Sequence, residues 1–149
     1  DVTYQPGKLI AVGYRNGKKV KTEVVETTGK ATAIALSADR DMIKADNTDV
    51  AVVTVALKDK KGRVVPTACH QLTLHLDGDM RILGVGNGDP ACKDAERPTD
   101  ANAKDFTLKA FNGYARIYLQ AGRKAGESAL TVTADGMKEK RIFISCEGK

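Results

Sequence analysis

Between Ile82 and Pro90 the chain reads ILGVGNGDP, with Gly84, Gly86 and Gly88 spaced two apart ahead of an Asp-Pro. Two chemistries use such a stretch. Glycine backbones can cradle a phosphate at the start of a helix. Asn87, Asp89 and nearby carbonyls are also hard oxygen donors of the kind calcium takes. A dinucleotide fingerprint needs a helix opening inside the glycine motif, and a Walker loop needs Gly-Lys-Ser/Thr. Here Gly88 is followed by Asp89, Pro90 and a charged stretch, which removes phosphate. Calcium asks for about six to eight oxygens, and only two side chains are in view. The expectation is a structural turn. Gly84, Gly86 and Gly88 allow a bulge, close strand packing and a positive-φ turn, while Asn87 or Asp89 hydrogen-bonds the turn's own amides. Calcium on Asn87 and Asp89 stays as the alternative.

Other residues offer chemistry with less support. In YARIYLQ, Tyr114 and Tyr118 share a strand face with Arg116 between them. Exposed rings stack on the apolar faces of sugars, so these three form a candidate sugar contact, with packing against a loop or domain as the other use. Cys69 and His70 are adjacent, but a nucleophile pair needs spatial apposition and an orienting third group. His75 alternates outward with Thr73 as a surface residue. Glu23, Glu26, Glu96 and Glu127 fall at hairpin, loop and strand-edge positions, and nothing gathers two of them around a sugar ring as glycoside hydrolysis requires. The acidic run ADRDMIKADNTD, Ala38 to Asp49, lacks the spacing of a calcium loop and reads as Asx turns between two strands. No catalytic residue and no cofactor is expected in this chain.

The bulk numbers narrow the field further. At 149 residues the chain has room for one domain with a real core and hardly for two. Aromatics are 5% and Trp is absent, which lowers the expectation of a sugar- or base-stacking surface. The net charge of +5 is scattered, and the basic runs KKVK and KEKR carry no interleaved aromatics, so they read as solvated strand faces rather than a nucleic-acid stripe. No apolar run approaches a membrane span. No signal peptide is visible and the chain opens on Asp1, so it reads as a piece of a longer protein. Cys69, Cys92 and Cys146 include no CxxC, so zinc spacing is missing. Cys69 and Cys92 lie in loop-like stretches flanking one strand pair, which admits a disulfide between them in an exported protein, with Cys146 a free core thiol.

The elements that must hold these residues are strands. HQLTLHL puts Leu72, Leu74 and Leu76 on one face, YARIYLQ does the same with Ala115, Ile117 and Leu119, and SALTVTADG repeats it through Leu130, Val132 and Ala134. TAIALS alternates through Ile34 and Leu36. DVAVVTVALKD is apolar on both faces, as expected of a central strand covered on each side. Turn chemistry lies at RNGK, DKKGR, LDGD, FNGY and ADGM, where Asn-Gly and Asp-Gly tolerate positive φ. Short strands between such turns indicate a β-sandwich. Asp89 to about Lys104 is an irregular, exposed loop. A boundary falls near ETTGKA, Glu26 to Ala31, ahead of which KLIAVGY and KKVKTEVV form a hairpin across Asn16-Gly17.

That two-part layout carries a resemblance. YQPGKLIAVGYRNGKKV (Tyr4 to Val20) resembles the last hairpin of the small β domain that follows the catalytic barrel in bacterial family-two glycoside hydrolases of the β-galactosidase type. IALSADRDMIKADNTDVAVVTVALKDKKGRVVP (Ile34 to Pro66) resembles the immunoglobulin-like domain at the C-terminal end of the same enzymes. ILGVGNGDP and KAFNGYARIYLQ (Lys109 to Gln120) are similar to further segments of that domain. The resemblance implies an all-β, immunoglobulin-like β-sandwich of about seven to nine antiparallel strands over residues 30–149, with residues 1–29 a terminal hairpin plus linker. It also implies an exported, periplasmic or cell-surface location and a non-catalytic accessory role beside a barrel that holds the catalytic glutamates. The expected partners are other domains of the parent hydrolase and carbohydrate, without nucleic acid or membrane. The cut hairpin exposes strand edges that favour pairing with the sandwich or with a second copy. The D-x-x-G-x-x-V-P element beginning at Asp59 is similar also to invasin-type immunoglobulin-like repeats, which gives an adhesin as a further reading. Two departures stand out: Cys69 and His70 replace the usual acidic or Asn residues after the Val-Pro turn, and the segment after GDP is longer and more charged than expected.

Overall fold

The computed structural model describes residues 3–148. Eleven strands run through them. The first five are β1 (Lys8–Arg15), β2 (Lys18–Glu26), β3 (Ala33–Ala38), β4 (Met42–Lys44) and β5 (Val50–Lys58). Then come β6 (Gln71–Asp77), β7 (Arg81–Gly86), β8 (Asp105–Lys109), β9 (Tyr114–Gln120), β10 (Gly126–Ala134) and β11 (Lys140–Glu147). They form a two-stranded ribbon β1-β2, a five-stranded sheet in the order β4-β11-β10-β6-β8, and a four-stranded sheet in the order β3-β5-β9-β7.

Alternation builds the core. Ala51, Val53, Val55 and Leu57 of β5 and Ala115, Ile117 and Leu119 of β9 point inward from the four-stranded sheet. Leu72, Leu74 and Leu76 of β6, Leu130 and Val132 of β10 and Ile144 of β11 point inward from the other. All belong to one hydrophobic cluster and are at most 1% exposed. Burial of such side chains is the main favourable term holding the two sheets together.

Three expectations change. The pairing is not antiparallel throughout, because β4 lies parallel to the end of β11, with Met42 opposite Ser145. The acidic run Ala38 to Asp49 is not turn alone: it contains β4, which the backbone pairing with β11 extends across three residues. Its Asx chemistry is real, since the Asp46 carboxylate accepts from Thr48 N, Thr48 Oγ1 and Asp49 N. Finally, β5 is covered on one face only. Val50, Val52, Thr54 and Ala56 on its other face are only half-buried.

The ribbon stands outside the shared cluster, turned by Asn16 and Gly17 at φ 51° and 72°, the left-handed pair that a tight hairpin demands. A charged knot fixes its base. Glu26 at the end of β2 meets Lys61 Nζ at 2.8 Å and Arg63 Nη1 at 3.0 Å. Arg63 in turn grips Asp59 through Nη2 at 2.6 Å and Nε at 3.0 Å. The Asp59 carboxylate also accepts from Gly29 N in the linker and from Lys61 N and Arg63 N in its own turn. Arg63 and those amides hold the Asp59 carboxyl well below the usual carboxylate range.

Candidate functional site

The outer face of the four-stranded sheet carries the most distinctive exposed surface. Cross-strand register arranges it in rows. Ala35, Ala56 and Tyr114 form one row, Ser37, Thr54, Arg116 and Gly86 the next, and Val52, Tyr118 and Gly84 the third. The Phe111–Tyr114 turn, closed by hydrogen bonds in both directions between those two residues, delivers Tyr114 to the start of β9. Period-two geometry then places Arg116 and Tyr118 beside it. Tyr114 is 46% exposed. No described carboxylate lies within ion-pairing distance of the Arg116 guanidinium.

The glycine stretch borders this face and shapes it. Gly84 and Gly86 occupy outward positions of β7 directly opposite Tyr118 and Arg116, and at Gly86, where nothing stands over the backbone, the sheet drops away beside Arg116. The result is an open groove of about 650 Å³ lined by Thr54, Gly86, Gly88, Tyr114, Arg116 and Tyr118. The register slips at Leu83, a bulge that keeps Ile82 and Val85 inward on either side of it. Gly84 also admits the following loop: a side-chain carbon there would lie 3.2 Å from the Glu96 carbonyl, which accepts a 2.7 Å bond from Val85 N. Gly88 adopts φ 79°.

Asn87 and Asp89 tie the turn. Asn87 donates to the Lys109 carbonyl at 3.0 Å and accepts from Asp89 N at 2.9 Å, and Asp89 accepts from Ala91 N at 2.9 Å. Their oxygens therefore already serve backbone amides. Among the described residues no group of three or more His, Cys, Asp or Glu side chains could hold a metal ion. Behind the turn, a smaller pocket of about 280 Å³ opens between the loop and Leu108 and Lys109.

The remaining candidates are dispersed. Cys69 and Cys92 are exposed free thiols, so the disulfide that their loop positions admit is not formed. Cys92 Sγ instead lies 3.8 Å from the Asn87 amide nitrogen on the loop after β7, while Cys69 stands just ahead of β6. Cys146 is buried, and burial pushes its thiol pKa up. Glu26 is held by Lys61 and Arg63, and Glu23 pairs with Lys21 on the ribbon. Glu96 lies in the loop and Glu127 on β10.

His75 shows a pairing that sequence reasoning missed. Its Nδ1 is 2.7 Å from Asp105 on β8 and its Nε2 is 3.3 Å from Asp77. The Asp105 hydrogen bond, with Asp77 behind it, raises the imidazole pKa above its ordinary value. Outward alternation of Thr73, His75 and Asp77 was readable, but the β6–β8 register that brings Asp105 alongside was not.

Comparison with known proteins agrees with this architecture. The family model described as "Glycoside hydrolase family 2 C-terminal domain 5" matches residues 34–143. The β-galactosidase BoGH2A of Bacteroides ovatus is 32% identical over 146 residues, which is 98% of this chain but 16% of that protein. A putative β-glucuronidase of Formosa agariphila is 30% identical over 144 residues, 97% of this chain and 13% of that protein. The crystal structure of a glycosyl hydrolase family 2 member from Bacteroides cellulosilyticus superposes with a TM-score of 0.85 at 31% identity, covering 98% of this chain and 18% of that one. The chain thus corresponds to a small part of much longer relatives. With the family model spanning most of both large sheets, the chain belongs to the glycoside hydrolase family 2 C-terminal domain 5 family.

Proposed function

We propose that this chain is a non-catalytic accessory module of a family 2 glycoside hydrolase. Residues 30–149 are an immunoglobulin-like β-sandwich, and residues 1–29 are the last ribbon of a preceding β domain plus its linker. One observation carries the reading: nearly the whole chain aligns with a segment that amounts to 16% of a β-galactosidase. The architecture supports it, since two sheets share one core while the ribbon makes no contribution to that core.

The parent enzyme hydrolyses a β-galactoside or β-glucuronide, as the names of the relatives suggest, with its catalytic carboxylates supplied outside these residues. The module works by packing against neighbouring domains and stabilising the longer chain. The parent is an exported enzyme on this reading. The test has two parts. The reading frame containing this chain should encode a catalytic barrel upstream, and its product should hydrolyse a chromogenic β-galactoside or β-glucuronide. The present chain alone should turn over neither. Turnover by this chain, or a frame of tandem similar repeats without a barrel, would overturn the proposal, the second in favour of an adhesin.

A further inference from the structure

We infer that the outer face of the four-stranded sheet is the surface by which this module docks on the body of its parent enzyme, with a carboxylate of that body meeting Arg116 between Tyr114 and Tyr118. This rests on the accessory-module reading and names the surface that reading needs.

The two outer faces of the large sheets differ in chemistry. On the five-stranded sheet the outward residues of β6 and β8 are Gln71, Thr73, His75 and Asp77 with Asp105 and Thr107, a polar surface, and the exposed apolar side chains of that sheet, Met42 and Phe143, lie apart at its β4–β11 edge. On the four-stranded sheet they are Val52, Ala56, Ala35, Leu83, Tyr114 and Tyr118, with Leu83 43% exposed. A strand apolar on both faces, as β5 is, belongs between two layers. One layer is the shared core; on the other side Tyr114 and Arg116 stay exposed and Val52, Thr54 and Ala56 half-buried. Apolar patches of this kind, rimmed by polar groups, mark interaction surfaces.

The occupant follows from size and charge. The relatives extend far beyond this segment, so a covering surface exists within the same polypeptide. Covering Arg116 without a partner would leave a guanidinium buried and unpaired, which is strongly unfavourable. A carboxylate satisfies it, and a planar fork favours bidentate pairing. The outward position of Gly86, with open space over its backbone, leaves the trough into which the partner's side chains fit. A saccharide fits less well, because the neighbouring Asn87 amide is already engaged by the Lys109 carbonyl and Asp89 N.

The experiment is tyrosine nitration of the intact parent enzyme and of the present chain, read by mass spectrometry, with Tyr4, 75% exposed, as a second site for comparison. Tyr114 and Tyr118 should label in the chain alone and fall to background in the parent. Arg116→Glu in the parent should restore labelling and Arg116→Lys should restore less of it, while neither shifts the thermal midpoint of the isolated chain. Equal labelling of both tyrosines in parent and chain would overturn the inference and leave the accessory-module reading standing. Protection that survives Arg116→Glu would overturn the carboxylate contact. Tyrosines that label in the parent and are protected only when galactoside or glucuronide oligosaccharides are added would assign the face to sugar instead. A parent frame with no hydrolase body removes the reading beneath the inference.

Discussion

His75 shows how little charge a surface residue needs to become pH-sensitive. Its imidazolium is favoured by Asp105 at 2.7 Å and Asp77 at 3.3 Å. Because the folded pKa is raised, the stabilisation is full below the ordinary value of 6.5 and is lost as pH rises through the higher folded value. The thermal midpoint should therefore fall between about pH 6 and pH 8 by more in the wild type than in His75→Gln, and salt should shrink the difference. Equal slopes in the two proteins would remove this role. Asp46 works with the opposite sign. Its carboxyl is held at about 2 by Thr48 and the amides of Thr48 and Asp49, so its stabilisation is present above the ordinary 3.8 and lost as pH falls towards 2. The thiols separate by burial. Under native conditions a disulfide-exchange reagent should modify Cys69 and Cys92 quickly and Cys146 only after unfolding. The absence of any rapidly reacting thiol, with only Cys146 titrating after unfolding, would contradict the free state of the loop pair.

At the scale of elements, the legible strands were those whose alternation contrasts an apolar with a polar face. β6, β9 and β10 follow directly from Leu72–Leu76, Ala115–Leu119 and Leu130–Val132. β4 was not legible, because three residues in an acidic run become a strand only through pairing with a chain end a hundred residues later. The outer face of β5 was read as covered because periodicity reports apolarity and not the layer that meets it. Tyr114, Arg116 and Tyr118 could be placed on one face from spacing alone. The trough beside them could not, since it depends on Gly86 standing opposite Arg116 across the sheet. The seating of the following loop against β7 is testable at Gly84. A valine there must push against the Glu96 carbonyl, 3.2 Å from its first side-chain carbon. Gly84→Val should cost about 1–3 kcal/mol in chemical denaturation and abolish hydrogen-exchange protection at Val85. Unchanged protection there would show that the loop yields without losing its bond to β7.

For the whole molecule, the decisive feature is a ribbon with apolar side chains and no share in the core. Register places Ile10 opposite Val24 and Leu9 opposite Val25, and these four side chains are 51–69% exposed. The ribbon is tethered by the linker and by Glu26, whose contacts with Lys61 and Arg63 orient its base without covering its faces. Surface ion pairs of this kind are individually modest, so they fix direction more than stability. An exposed two-stranded ribbon with open edges invites pairing by a second copy when its own neighbour is missing. Sedimentation velocity on this chain should accordingly show concentration-dependent self-association. Ile10→Lys with Val24→Lys should return it to a monomer and leave the thermal midpoint of the two large sheets unchanged, because neither residue touches their shared cluster. A chain that stays monomeric at every concentration would refute pairing through the ribbon. Association that persists in the double variant would move the contact to another exposed apolar surface, the Tyr114–Tyr118 face or the Met42–Phe143 edge.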